Sequence, residues 1–265
     1  MVRNPFSKRP LVSVIRLEGF IGATARPGGS AINDSLLAQP IERAFKGKPA
    51  AVALQINSPG GSPVQSALIA ARIRRLADEK GVKVYAFCED VAASGGYWLA
   101  TAADEIDVDP ASIIGSIGVI SAGFGLHEFI ARHGIERRVY TAGEDKSMLD
   151  PFRPERARDI ERLKEIQADL HEVFIAQVKA RRGDRLADGD LFTGDIWLGA
   201  TAVELGLADG TAHLVPRMKE MFGDKTRFSV SKPKRGLLGR FGVSAPDLVG
   251  AVEDRAAWAR YGVRG

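Results

Sequence analysis

The clearest candidate nucleophile in the chain is a serine surrounded by small residues. Ser94 lies in residues 91–97, VAASGGY, between a predicted strand and a predicted helix. A serine at the start of a helix usually caps it, and that is the simpler interpretation of Ser94 taken alone. The small residues before it and the two glycines after it, however, leave its hydroxyl open to a substrate. We therefore predict Ser94 as a nucleophile.

A second glycine-rich loop precedes this one. Residues 57–63, NSPGGSP, also join a predicted buried strand to a predicted helix. On its own, such a loop is most simply a strand–helix turn. Glycines, however, let a ligand approach the backbone closely, and N–H groups at the start of a helix are unpaired and partially positive. Two such turns in succession would lie at the carboxyl ends of neighbouring strands, so we predict that Gly61 and Gly95 donate to one oxyanion.

A serine nucleophile needs a base, and two routes are open. Among the four histidines, His127 is the one serious candidate for a catalytic triad, although its charged neighbours are typical of a solvated helix face. Lysine is the other route, because Lys146 lies in residues 143–152, GEDKSMLDPF, ahead of a long predicted helix. If this loop packs over the site, loss of water would favour the neutral amine, which can accept a proton. The alternative is an ordinary solvated lysine.

The elements that must position these residues alternate along the first half of the chain. Apolar runs of strand length occur at 11–17, 51–56 and 82–88, and helical patterns occur at 34–45 and 64–77. This order predicts an α/β fold with parallel strands and crossover helices. Further strands are predicted at 105–108, 117–120 and 136–141, and further helices at 94–102, 126–133, 155–181 and 198–205.

Composition changes near Asp224, where a basic stretch broken by proline and glycine begins. We predict one catalytic domain over residues 1–223 and a basic C-terminal tail over 224–265, with a short helix at 248–261. Such a tail could lie on an anionic membrane surface, or it could be a disordered, solubilising segment or one that docks on a neighbouring subunit.

Charge and cysteine content exclude several classes of protein. The net charge is +4, from 37 basic and 33 acidic residues, which is too small an excess to indicate nucleic-acid binding. The single cysteine, Cys88, excludes an internal disulfide and lies in an apolar run typical of a core strand. The amino-terminal residues lack the apolar run of a signal peptide or anchor. We expect a cytoplasmic protein with at most a peripheral membrane contact.

At these segments the sequence resembles the signal peptide peptidase A family of serine peptidases, within the Clp-protease and crotonase-like fold group. The motifs NSPGG, VAASGGYW, GSIGVI and GEDKSMLDPF occur in family order, over roughly residues 11–223. The resemblance implies a serine–lysine dyad without histidine. Ser94 matches the family nucleophile, Lys146 its base, and Gly61 and Gly95 its oxyanion-hole donors. No metal or cofactor is required.

The same resemblance implies a partner and a substrate class. It implies a ring-like homo-oligomer, with each site at a subunit boundary. It also implies that signal-peptide remnants, or other short or unfolded peptides, are cut near small or apolar residues. Because the sequence holds one copy of the domain, we expect the ring to form by self-assembly.

Two other functions fit the same fold. A crotonase-type acyl-CoA enzyme also holds an oxyanion on two backbone N–H groups, but it would need acidic residues where this chain has Ser94 and Lys146. An inactive oligomeric scaffold would not need to keep either residue.

Overall fold

The structure is a computed structural model, and it describes residues 9–22, 32–231 and 258–262. Its strands are β1 (Leu11–Glu18), β2 (Ala51–Ser58), β3 (Val84–Ala93), β4 (Glu105–Val108), β5 (Ile113–Gly115), β6 (Ile196–Leu198), β7 (Gly210–Thr211) and β8 (Arg227–Ser231). Its helices are α1 (Asp34–Phe45), α2 (Pro63–Lys80), α3 (Gly95–Ala100), α4 (His127–Arg132), α5 (Ala157–Arg182), α6 (Gly199–Glu204) and α7 (Leu214–Phe222). Most of the predicted tail lies outside the described residues.

The described residues divide into two compact units. The first contains the residues up to Gly118 and those from Phe174 onward, and the second contains Val119–Val173. The domain limits expected from composition, 1–223 and 224–265, stay a prediction. Within the predicted tail, β8 pairs with β1 in the sheet of the first unit.

The sheet of the first unit confirms the predicted parallel α/β architecture. Its main order is β6-β5-β3-β2-β1-β8, and β4 pairs with both β3 and β7. The central pairs are parallel, whereas β6 runs antiparallel to β5. Because parallel neighbours need crossover connections, β2 and β3 end at the same edge of the sheet. Both glycine-rich loops leave from that edge.

Local sequence explains where the crossover helix α2 begins and ends. The side chain of Ser62 caps it by accepting a hydrogen bond from the Gln65 N–H, and Pro63 occupies its first turn. It ends at Gly81, which adopts the left-handed conformation with φ of 62°. The inner face of α2 packs into the main core cluster together with alternate residues of β2 and β3. Local sequence therefore fixes both ends of the helix that follows the glycine-rich loop.

Two strands do not form at their predicted positions. The strand expected at 117–120 occurs earlier, as β5, and ends where Gly115 and Ser116 turn with φ of 109° and 51°. Residues 136–141 form no strand in the described part of the chain and are mostly exposed. An apolar pattern favours extended backbone, but a strand also needs a neighbour to pair with, which the local sequence does not specify.

Candidate active site

The backbone at Ser94 adopts a conformation that is unfavourable for any residue with a side chain. Its φ is 53° and its ψ is −122°, at the sharp turn from β3 into α3. The turn is fixed from both sides, since the Ser94 N–H donates to the Gly115 carbonyl at 2.8 Å and the Trp98 N–H donates to the Ser94 carbonyl at 3.0 Å. The side chain makes no capping hydrogen bond to α3. The simple capping interpretation is therefore wrong, and the half-buried hydroxyl is held on a strained strand-to-helix turn.

The two glycine-rich loops lie in contact. A Cβ placed on Gly60, whose φ is 98°, would be 2.8 Å from both the Gly95 nitrogen and the Ser94 Cβ. A Cβ placed on Gly95 would be 3.3 Å from the Gly61 nitrogen and 2.5 Å from the Ser66 Oγ. Only glycine allows backbones to approach this closely. The structure therefore brings Ser94, Gly61 and Gly95 together at the edge of the sheet.

The backbone N–H of Gly61 points away from Ile21, its bridge partner. Gly61 forms a parallel bridge with Ile21, in which the Ile21 N–H donates to the Gly60 carbonyl and the Ser62 N–H donates to the Ile21 carbonyl, both at 2.8 Å. These two bonds use the neighbours of Gly61 and leave its own N–H directed to the other side. Gly95 is the first residue of α3, so its N–H has no intrahelical acceptor. Among the described residues, neither of these two N–H groups donates a hydrogen bond.

Sequence reasoning missed the side chains that hold these loops together. Ser58, fully buried at the end of β2, donates from its hydroxyl to the Gly19 carbonyl at 2.7 Å and accepts from the Gly60 N–H at 3.2 Å. The Ser58 carbonyl lies so close to α3 that a Cβ on Gly96 would be 2.4 Å from it. The one sequence signal was a serine at the end of a largely buried strand. Its partners come from distant parts of the chain.

The predicted base lies in the second unit. Lys146 is exposed in a turn, where its N–H donates to the Gly143 carbonyl at 3.3 Å. Among the described residues, no neighbour buries the lysine side chain as a neutral base would require. Asp145, next to it, forms an ion pair with Arg158 of α5 at 2.8 Å. His127, the competing candidate, also belongs to the second unit, at the start of α4, a helix without buried residues.

A buried aspartate holds the end of the lysine turn. Asp159 is 4% exposed and accepts a hydrogen bond from the Leu149 N–H at 3.3 Å. Leu149 has a φ of 57°, which is strained for a side chain of its size. Arg156 binds both oxygens of Asp159, at 2.7 and 2.9 Å, and this hydrogen bonding lowers the pKa of Asp159. The turn is thus fixed to the beginning of α5 by charged groups.

The single thiol is not a competing nucleophile. Cys88 lies on β3 and is 5% exposed. Burial, and to a smaller extent the charge of Asp107, raises its pKa to about 12. A thiol that stays protonated at neutral pH is a poor nucleophile. The prediction that Cys88 is a core strand residue is confirmed.

Comparison with known proteins identifies the family. Residues 77–222, more than half of the chain, match peptidase family S49. This chain is a member of peptidase family S49. The match begins within α2, and it includes Ser94, the Gly115 turn and Lys146.

This chain spans only about a third to a half of the length of the curated relatives that it matches. The chain is 30% identical over 201 residues to a Haemophilus influenzae protein named as a SohB protease, covering 74% of this chain and 55% of the relative. It is 28% identical over 253 residues to the chloroplastic serine protease SPPA of Arabidopsis thaliana, covering 92% and 37%. A Brucella melitensis protein is 48% identical over 274 residues, covering 95% and 37%, and carries the name Na(+)/H(+) antiporter NhaA.

A solved structure supports the fold. A membrane-bound stomatin-specific protease, 1510-N, solved as a mutant, superposes with a TM-score of 0.52 at 15% identity and covers 86% of this chain and 100% of its own. At this identity the likeness concerns the fold alone. It agrees with the Clp-protease-like α/β architecture expected from the sequence.

No helix among the described residues is long and apolar enough to cross a membrane.

Proposed function

We propose that this chain is a serine peptidase in which Ser94 is the nucleophile, Lys146 is the base, and the N–H groups of Gly61 and Gly95 form the oxyanion hole. Membership of peptidase family S49 supports the peptidase activity and favours it over acyl-CoA chemistry. One observation carries the assignment of Ser94. Its strained turn lies directly against the Gly60–Gly61 loop, and the N–H groups of Gly61 and Gly95 have no acceptor among the described residues.

The proposed reaction needs no metal or cofactor. The Ser94 Oγ attacks a peptide carbonyl while the neutral Lys146 amine takes its proton. The carbonyl oxygen becomes an oxyanion that accepts hydrogen bonds from the Gly61 and Gly95 N–H groups. As the C–N bond breaks, the lysine ammonium returns the proton to the leaving amine. Water, deprotonated by the same lysine, then attacks the ester; as the C–O bond to Ser94 breaks, the lysine ammonium returns the proton to the Ser94 oxygen and the acyl group leaves as a carboxylic acid.

The base requires a burial that the described residues of one chain do not supply. Lys146 is exposed, so we propose that a neighbouring copy in a ring-like homo-oligomer covers its turn. The second unit supports this with large apolar side chains that are exposed in the single chain. Ile120, Phe124, Phe129 and Ile135 are 55% to 84% exposed. Surfaces of this kind usually mark protein–protein contacts.

The proposed substrates are signal-peptide remnants or other short or unfolded peptides, cut near small or apolar residues. The residues around Ser94 are small and apolar, and none of residues 91–98 is acidic. A basic side chain at the cleaved position would therefore meet no counter-charge in this segment. Strong preference for cleavage after lysine or arginine would contradict this proposal.

A peripheral membrane contact through the basic tail is also proposed, although residues 232–257 lie outside the described part of the chain. Because β8 belongs to the sheet, a chain ending at Asp224 would lose a strand as well as the tail. Neutralising Lys232, Lys234 and Arg235 in the full chain is the cleaner test. Equal sedimentation of wild type and variant with anionic vesicles would exclude this role.

Labelling by a fluorophosphonate probe, together with peptide cleavage, tests the dyad. We expect the wild type to be labelled at Ser94. Ser94→Ala and Lys146→Ala should both lose cleavage by at least about a hundredfold while keeping the wild-type circular dichroism spectrum. His127→Ala is the matched control and should stay within a few-fold of wild type. An active Lys146→Ala beside an inactive His127→Ala would replace the dyad by a triad.

The match with the Brucella relative, a protein named as an antiporter, covers a minor part of that protein. The matched region is 37% of that protein, and the rest of its length lies outside the match. The peptidase proposal rests on the family match and on the site.

A further inference from the structure

The residues 258–262 lie against the strand that carries the nucleophile. Trp258 and Tyr261, 8% and 9% exposed, form a separate apolar cluster with Val91 and Ala93 of β3, and Ile113 packs against it. Val91 and Ala93 are fully buried and immediately precede the Ser94 turn. These rings therefore cover the last residues of β3 before the candidate nucleophile.

This contact covers the end of β3 that leads into the Ser94 turn. The neighbouring Ala92 points to the opposite face and belongs to the main core. Nearer the start of β3, Tyr85 and Phe87 pack with Met218 of α7. At the end of the strand, the described apolar contacts of Val91 and Ala93 in this cluster come from the carboxyl-terminal rings and Ile113. The two ends of β3 thus have different covers.

A hydrogen bond extends this contact toward Ser94. The Tyr261 hydroxyl donates to the Ser116 Oγ at 3.3 Å, and both residues are buried. Ser116 has a φ of 51° and donates its N–H to the Asp195 carbonyl at 2.7 Å. It directly follows Gly115, whose carbonyl accepts the Ser94 N–H. Tyr261 therefore reaches the residue next to the carbonyl that fixes the nucleophile turn.

We infer that Tyr261 is a positioning residue for Ser94. It holds Ser116, Ser116 holds the Gly115 carbonyl in place, and that carbonyl fixes the strained backbone of Ser94. Trp258 supports the same arrangement by packing on Val91 and Ala93. A nucleophile on a strained turn reacts well only while its surroundings keep it there. This inference rests on the proposed role of Ser94.

The test is a double-mutant cycle on the full chain with the substitutions Tyr261→Phe and Ser116→Ala. Each removes one end of the hydrogen bond and leaves most of the apolar packing. We expect each to slow fluorophosphonate labelling of Ser94 and to lower kcat by about three- to tenfold, with KM changed less than about twofold. The double variant should be no slower than the slower single variant, because both act through one bond.

Tyr85→Phe is the matched control. It makes the same change at a tyrosine near the start of β3, far along the strand from the Ser94 turn, and should keep the wild-type labelling rate. The unfolding midpoint of Tyr261→Phe should stay within a few degrees of wild type, which separates positioning from loss of fold. A wild type that is not labelled at Ser94 would refute the proposed function. Normal labelling of Tyr261→Phe, or effects that add in the double variant, would refute this inference alone. Faster labelling would also overturn it, since Tyr261 would then shield the turn.

Discussion

A buried carboxylate on β4 should make the stability of this protein depend on pH. Asp107 is 4% exposed, and burial raises its pKa from 3.8 to about 6, against the opposing charge of Arg217. The closest approach of Arg217 is 3.9 Å, and neither the Asp107 Oδ2 nor the Arg217 Nε has a hydrogen-bond partner among the described residues. The charged form of Asp107 is therefore incompletely compensated. We predict that Asp107→Asn stabilises the protein above neutral pH.

The magnitude follows from the difference in proton affinity. The pKa of Asp107 is about two units higher in the folded protein than in the unfolded chain. Ionisation of Asp107 therefore lowers the free energy of unfolding by about 3 kcal/mol at most, and this is the penalty at high pH. Because the folded pKa is raised, the penalty is fully present above about pH 7. It declines as pH falls through 6 and vanishes below about pH 4, where both states are protonated. The asparagine amide has nearly the shape of the protonated acid and does not titrate.

Urea unfolding at pH 8 and at pH 4.5 measures this effect. Asp107→Asn should raise the free energy of unfolding by about 2–3 kcal/mol at pH 8 and by less than about 1 kcal/mol at pH 4.5. Asp224→Asn, at an exposed position, is the control and should change little at either pH. A variant that is less stable at pH 8, or whose gain is the same at both pH values, would show that Asp107 is well compensated.

Further predictions concern the site. Gly60→Ala should slow labelling of Ser94 by at least about tenfold, because its Cβ would overlap Gly95; Gly81→Ala, with open space around it, should cost about 1 kcal/mol of stability and keep the labelling rate. Asp159→Asn should lower kcat several-fold and change KM less, because the lysine turn loses the ion pair between Asp159 and Arg156. An unchanged kcat would show that this ion pair has no role in catalysis. The ratio kcat/KM should rise from acid to mildly alkaline pH, since the base must be neutral, and a maximum in acid would argue against lysine. Cys88 should resist alkylation at pH 8 in the native protein and react after unfolding, because burial raises its pKa to about 12; rapid native alkylation would show that β3 opens.

The sequence by itself determined the α/β class, the main strands and the two glycine-rich loops. Hydrophobic periodicity is a local property, so helix α1 was predicted with the bounds the structure gives it. The glycine turns were predictable because glycine is the residue that permits positive φ and close backbone contact. The motifs around Ser94 and Lys146 led to the family that the comparison confirms, while their catalytic roles stay predictions.

Only the tertiary structure decided which distant groups meet at the candidate site. The bridge between Ile21 and Gly61, the hydrogen bond from Ser94 to Gly115 and the docking of Tyr261 on Ser116 join residues far apart in the chain. No periodicity or local preference encodes these contacts. They depend on the register of β2, β3 and β5, and that register is fixed by the packing of the whole sheet.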